Sequence, residues 1–176
     1  MLVSQTERPD FAHVYDAYVD FVWSMIRRLG VADSQLEDAV QDVFVAVHRQ
    51  LPGFRGASTL KTWVGGFAVR VAHEHRRHAE RKAEQEPIDL HLELPATGAG
   101  PHESAEAAQA FGALQRLLDT LDEDQRTVFV LAELEELSAP EIAEIVGAPL
   151  NTVYSRLRLA RARLQQDLLA FKRGEA

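Results

Sequence analysis

The stretch Leu137-Ser-Ala-Pro-Glu-Ile-Ala-Glu-Ile-Val-Gly-Ala-Pro-Leu-Asn-Thr-Val-Tyr-Ser-Arg-Leu-Arg-Leu-Ala-Arg-Ala-Arg-Leu164 decides the fold of the C-terminal part of the chain. Ser138 and Glu141 have the spacing of a capping box, and Ile142, Ala143, Ile145 and Val146 give the first helix an apolar face. Gly147 ends it. After Ala148-Pro149 a second helix carries Val153, Leu157, Ala160 and Leu164 as one core stripe, leaving Thr152, Tyr154, Ser155, Arg156, Arg158, Arg161 and Arg163 facing outward. Two helices about a short turn, the second rich in cations and hydrogen-bonding side chains, form a helix-turn-helix suited to the DNA major groove.

Working outward, the charge pattern separates this reading from a solvated two-helix hairpin. Residues 150–173 hold six basic side chains and one acidic, and residues 49–82 hold eight and two. By contrast, residues 83–149 hold two basic and fifteen acidic side chains within a chain of net charge -8. Two basic islands in an acidic chain predict local phosphate contacts and weak binding to DNA by the protein alone.

At 176 residues and 46% hydrophobic content, the chain is expected to be globular. It has no cysteine, which excludes disulfides and thiolate metal sites and suits a cytoplasmic setting. The N-terminal segment has no secretory pattern, and no apolar run reaches membrane-spanning length, so no membrane insertion is expected.

The periodicity predicts an all-α fold of two small helical domains. In the first, Asp10 is placed to cap a helix carrying Phe11, Val14, Tyr18, Val22, Met25 and Ile26 and ending at Gly30. Ser34 and Glu37 suggest a second capping box, before Leu36, Val40, Val43, Phe44 and Val47. A third helix starts near Ser58 or Thr59 and runs through Trp63 and Phe67 into the basic stretch ending at Lys82. The Pro- and Gly-containing acidic segment 83–103 reads as a flexible linker, with Leu90, Leu92 and Leu94 in extended chain. The second domain holds a helix with Leu114, Leu117 and Leu118, then an Asp122/Gln125 box leading a helix through Leu134, then the helix-turn-helix. The domains are therefore 1–82 and 104–176, with the linker fixing no mutual orientation.

In this order and spacing, three motifs resemble the extracytoplasmic-function (ECF) sigma factors, compact initiation factors that keep sigma regions 2 and 4. They are Asp38-Ala-Val-Gln-Asp-Val-Phe44, Phe54-Arg-Gly-Ala-Ser-Thr-Leu-Lys-Thr-Trp63 and Ile142 through Arg161. The resemblance implies an alternative sigma factor that binds core RNA polymerase through its beta-prime and beta subunits and directs initiation at promoter DNA. Asp38, Gln41 and Asp42 would meet the beta-prime coiled coil, with Phe44 in the core. Lys61, Trp63, Arg70, Arg76, Arg77 and Arg81 would serve the -10 element. Trp63 also fits an apolar stripe, and Arg70 stands where the family often has asparagine. Thr152, Ser155, Arg156, Arg158 and Arg161 would contact the -35 element, and the linker would thread the polymerase toward the RNA exit path. The resemblance also implies an anti-sigma partner, which would clamp the two flexibly joined units.

An enzyme and a stand-alone helix-turn-helix repressor or activator are the competing readings. His73-Glu-His-Arg-Arg-His78 lacks the His-Glu-x-x-His spacing of a helical zinc site and is surrounded by cations, so no metal or other cofactor is expected. A repressor would bind an operator tightly on its own, commonly as a dimer.

Overall fold

The computed structural model describes residues 9–85 and 105–172, which form helices α1 (Phe11–Arg28), α2 (Asp33–Gln50), α3 (Leu60–Gln85), α4 (Ala105–Leu118), α5 (Glu123–Phe129), α6 (Ala139–Val146) and α7 (Leu150–Lys172). A 3-10 turn, Leu51–Gly53, follows α2, and a π turn, Val130–Leu134, follows α5. No strand occurs among the described residues. The segment carrying Leu90, Leu92 and Leu94 lies outside them, although α3 runs through Gln85.

Helices α1, α2 and α3 bury Val14, Val22, Met25, Ile26, Leu36, Val43, Val47 and Val64, the apolar positions whose periodicity predicts the first unit. Phe44 is buried here too, as the motif reading expects. The starts of these helices differ from expectation. Asp10 occupies the N-cap of α1 without a side-chain capping bond. Helix α2 begins at Asp33, so Ala32 is its N-cap and Ser34 and Glu37 already lie within it. Its first-turn acid, Asp33, instead accepts from Arg27 Nε at 3.2 Å. Thr59 does cap α3, its hydroxyl accepting from Thr62 N–H at 3.0 Å.

In the second unit the Asp122 carboxylate accepts from Gln125 N–H at 2.7 Å. The Glu141 carboxylate accepts from both the Ser138 N–H, at 2.9 Å, and the Ser138 hydroxyl, at 2.6 Å. These bonds hold the Glu141 carboxyl below its ordinary pKa, with Thr62 assisting. Gly147, at φ 64°, ends α6 as expected. The helix predicted to continue through Leu134 widens into the π turn, whose Val130 carbonyl accepts from Glu135 N–H at 3.0 Å.

The mutual orientation that the linker leaves open is set by packing: α6 packs directly against α3, and one buried core runs through both units. Gly65 on α3 permits this approach, since a Cβ there would lie 3.3 Å from Ile145 Cδ1. Around the apolar contact, Arg28 Nη1 meets Glu135 Oε1 at 2.6 Å, Lys61 Nζ donates to the Glu135 carbonyl at 2.8 Å, and the Thr62 hydroxyl donates to Glu141 at 2.9 Å. The Arg27 guanidinium lies over the Phe111 ring, 3.8 Å from its centroid. Arg126, only 2% exposed, sits against Gly30 and pairs with Asp119. These cross-unit bonds fix the orientation that the linker leaves open.

Candidate nucleic-acid interface

Helix α7 follows from its apolar stripe: Val153, Leu157, Ala160 and Leu164 are buried, and this fixes which side chains turn outward. Ser155, Arg158 and Arg161 are exposed, while Thr152 and Arg156 are half-buried at the margin. Ser155 donates its hydroxyl proton to the Thr152 carbonyl at 2.9 Å. Arg156 pairs with Asp124 of α5, and Arg161 donates through Nε at 2.9 Å to Glu133 of the π turn, its Nη2 also on that oxygen. Arg163 pairs within α7 with Asp167 at 3.2 Å. Tyr154, 54% exposed, adds an aromatic to the outer face.

On α3, Trp63 is half-buried rather than sealed in the core. Its ring lies between Phe54 and Phe67, with centroids 5.1 and 4.8 Å away, and lines a cavity of about 240 Å³ with Gln50, Thr62, Gly66, Phe67 and Arg70. Glu144 and Ile145 of α6 form the opposite wall. Arg70 lies over the Phe67 ring at 4.7 Å, and its Nε donates to the Gly66 carbonyl at 3.2 Å. This places aromatic faces beside a guanidinium, the combination that stacks unpaired bases and holds phosphate.

The remaining basic candidates of α3 are not gathered there. Lys61 is turned to Glu135, and Arg76 donates to the Leu29 carbonyl at 3.4 Å. Arg77 and Arg81 are exposed farther along α3. Phe54, which opens the motif ending at Trp63, and Phe67, one turn beyond it on the apolar stripe, join the site although the sequence pattern gives them only motif and core places. Nothing in the local sequence distinguishes the buried Arg126 and Glu135 from surface charges.

Asp38, Gln41 and Asp42 are exposed on α2. Asp42 accepts from His75 Nε2 of α3 at 2.9 Å. Gln41 borders a groove of about 810 Å³ with Tyr15, Val19, Trp23, Phe44 and Val45 among its walls. The other histidine of interest, His73, faces Thr127 at 2.9 Å. Because the Thr127 hydroxyl donates to the Glu123 carbonyl at 2.7 Å, its oxygen accepts from His73 Nε2–H. Burial lowers the His73 pKa below its ordinary value, with Arg76 and Arg77 adding to the effect and Glu123 and Asp124 opposing it. Desolvation raises that of Glu135 against the opposing pull of Arg28 and Lys61.

Sigma-70 region 2 matches residues 14–82, and sigma-70 region 4 matches residues 111–164. The ECF RNA polymerase sigma-E factor of Haemophilus influenzae is 30% identical, with 94% of this chain and 91% of that protein covered. The chain belongs to the extracytoplasmic-function sigma factors of the sigma-70 family. It is an alternative sigma factor, a transcription initiation factor that directs RNA polymerase to promoters. The ECF sigma factor SigW of Bacillus subtilis is 24% identical, covering 94% of this sigma factor and 92% of its own length. Among solved folds, CnrH in complex with the cytosolic domain of CnrY has a TM-score of 0.70 at 22% identity, over 91% of this chain and 88% of that one. RpoE in complex with the anti-sigma factor NepR, from Bartonella quintana, has a TM-score of 0.69 at 22% identity, over 90% and 96%. The match to region 2 as well as region 4 favours the sigma-factor reading over the stand-alone repressor. No helix among the described residues is long and apolar enough to cross a membrane.

Proposed function

We propose that residues 1–82 bind core polymerase and open the -10 element, that 83–103 link, and that 104–176 dock on the -35 element. The carrying observation is the outward cationic face of α7, held by its buried stripe in the same chain as the Trp63–Arg70 groove of α3. Thr152, Ser155, Arg156, Arg158 and Arg161 meet the -35 major groove, while Lys61, Trp63, Arg70, Arg76, Arg77 and Arg81 serve the -10 strand. Asp38, Gln41 and Asp42 contact the beta-prime subunit. The protein acts in the cytoplasm and catalyses no reaction of its own.

On this reading the arrangement with α6 against α3 is a closed form. Glu144 and Ile145 wall the -10 groove, and Lys61 is bonded to Glu135, so region 4 moves away from α3 when promoter DNA is engaged. An anti-sigma partner, as RpoE has in NepR, would hold the closed form rather than create it. Run-off transcription from a promoter library, with core polymerase alone and with the protein added, tests the function. New start sites that depend on the protein are expected. Equal transcription by core polymerase alone overturns it, and tight sequence-specific binding by the isolated protein revives the repressor reading.

A further inference from the structure

Two arginines assigned to promoter recognition are bound to carboxylates that come from outside their own helix. Arg156 and Arg161 lie on opposite margins of the buried stripe of α7, and each is met by one acid from an element that precedes α6: Asp124 of α5 for Arg156, and Glu133 of the π turn for Arg161. Glu133 takes both Nε and Nη2 of Arg161 on a single oxygen. Arg158, by contrast, is exposed on the outer face of the same helix, between these two buttressed positions.

We propose that Asp124 and Glu133 are positioning residues that set -35 selectivity by aiming Arg156 and Arg161 at base edges while withholding them from phosphate. The inference rests on the assignment of α7 to the -35 element. A free arginine on a DNA-facing helix finds the nearest phosphate, which adds affinity for every sequence. A carboxylate on one edge of the guanidinium removes some of its donors from that competition, reduces the side-chain freedom lost on binding, and leaves the opposite edge for a guanine. It also places negative charge near the DNA backbone, which disfavours any pose that brings the arginine to phosphate without a base contact. The two acids therefore lower binding to random DNA more than binding to the correct element.

The test uses holoenzyme, reconstituted from core polymerase and the full-length protein, and a duplex library randomised over both promoter elements. Arg156→Ala is expected to flatten the base preference at the -35 positions it reads. Asp124→Asn should flatten the same positions, raise retention of random duplex by about threefold, and steepen the salt dependence by about one unit as the released arginine gains a phosphate. Asp124→Glu should restore much of the preference. Glu133→Gln should act in the same way at the positions flattened by Arg161→Ala. A purely structural role for these acids would change thermal stability but leave the base preferences and the salt slope as they are. If the arginine variants flatten the preference while both acid variants keep the wild-type pattern, the proposal is overturned and the -35 assignment stands. If neither Arg156→Ala nor Arg161→Ala changes any preference, the assignment of these arginines and the proposal fall together.

Discussion

Arg28 of α1 and Glu135 at the end of the π turn, 107 residues apart in sequence, meet at 2.6 Å across the joint between the two units. Glu135 is only 7% exposed, and desolvation pushes its pKa upward even with Arg28 beside it. The pair is therefore a geometric lock more than a source of net stability, because removing one partner leaves the other charge poorly solvated. Arg28→Ala should weaken the closed form by about 1–3 kcal/mol. Small-angle scattering should then report a larger radius of gyration, and the melting temperature should fall. An unchanged radius and melting curve would mean that the α3–α6 apolar contact holds the units alone.

Gly30 supplies an independent route to the same joint. It adopts φ +93°, and a Cβ there would collide with Nη1 of Arg126. Gly30→Ala therefore combines left-handed backbone strain with displacement of a buried guanidinium, and should cost about 1–3 kcal/mol. Calorimetry of the full-length protein measures it. Stability equal to wild type would show that Arg126 moves aside without loss.

The parts of the fold that depend on local pattern were legible in the sequence, and the parts that depend on long-range partners were not. The buried stripe of α7, the Ser138–Glu141 pair and the turn at Gly147 follow from spacing and backbone chemistry. The start of α2 was misplaced because Asp33, the residue before the Ser34–Glu37 pattern, enters the first turn and pairs with Arg27. The joint was hidden for a different reason. Arg28, Arg126 and Glu135 carry charges that read as solvated surface, and nothing within a few residues of any of them identifies its partner. Ile145 was legible as apolar, but as part of the helix-turn-helix face and not as a contact for Gly65. The α7 arginines were legible as a cationic face, whereas their carboxylate partners on α5 and the π turn came from a different stretch of chain.

Charge reversal on α2 tests the polymerase contact. Asp38 and Asp42 are exposed one helical turn apart, and Asp42 touches only the half-buried His75 among the contacts described. Asp38→Arg with Asp42→Arg should leave the helical circular dichroism intact and change stability by less than about 1 kcal/mol. Co-purification with core polymerase should be lost, since like charges at a polar interface cost several kcal/mol. A folded double variant that still co-purifies would remove these residues from the interface.

The joint should also respond to acid through His73. Its folded pKa is depressed by burial, so between that value and the ordinary 6.5 the unfolded chain binds more protons than the folded one. The stability His73 contributes is complete above the ordinary value and is lost as pH falls through the window beneath it. Glu135, with its pKa raised above the ordinary 4.5, acts in the opposite direction, adding stability as pH falls through its folded pKa toward 4.5. His73→Gln removes only the first effect. The melting-temperature difference between wild type and His73→Gln should therefore shrink as pH is lowered from 7.5 to 5.5. Parallel melting curves across that range would show that His73 does not titrate in the joint.

Arg158 separates base reading from phosphate anchoring on α7, because it is exposed and lies on the outer face between the two arginines held by Asp124 and Glu133. If it bridges a guanine edge, Arg158→Ala should cost about 1–3 kcal/mol on the selected -35 element and little on a scrambled one. If it anchors phosphate, both sequences should weaken alike, and the dependence of log affinity on log salt should flatten by about one unit. Holoenzyme binding to the two duplexes at two salt concentrations distinguishes these outcomes. The exposed position of Arg158, with no carboxylate paired to it among the described residues, favours the phosphate result, so equal weakening with a flatter salt slope is expected. Loss confined to the selected element would instead make Arg158 a base reader, and would show that an arginine on this helix selects sequence without a carboxylate to aim it.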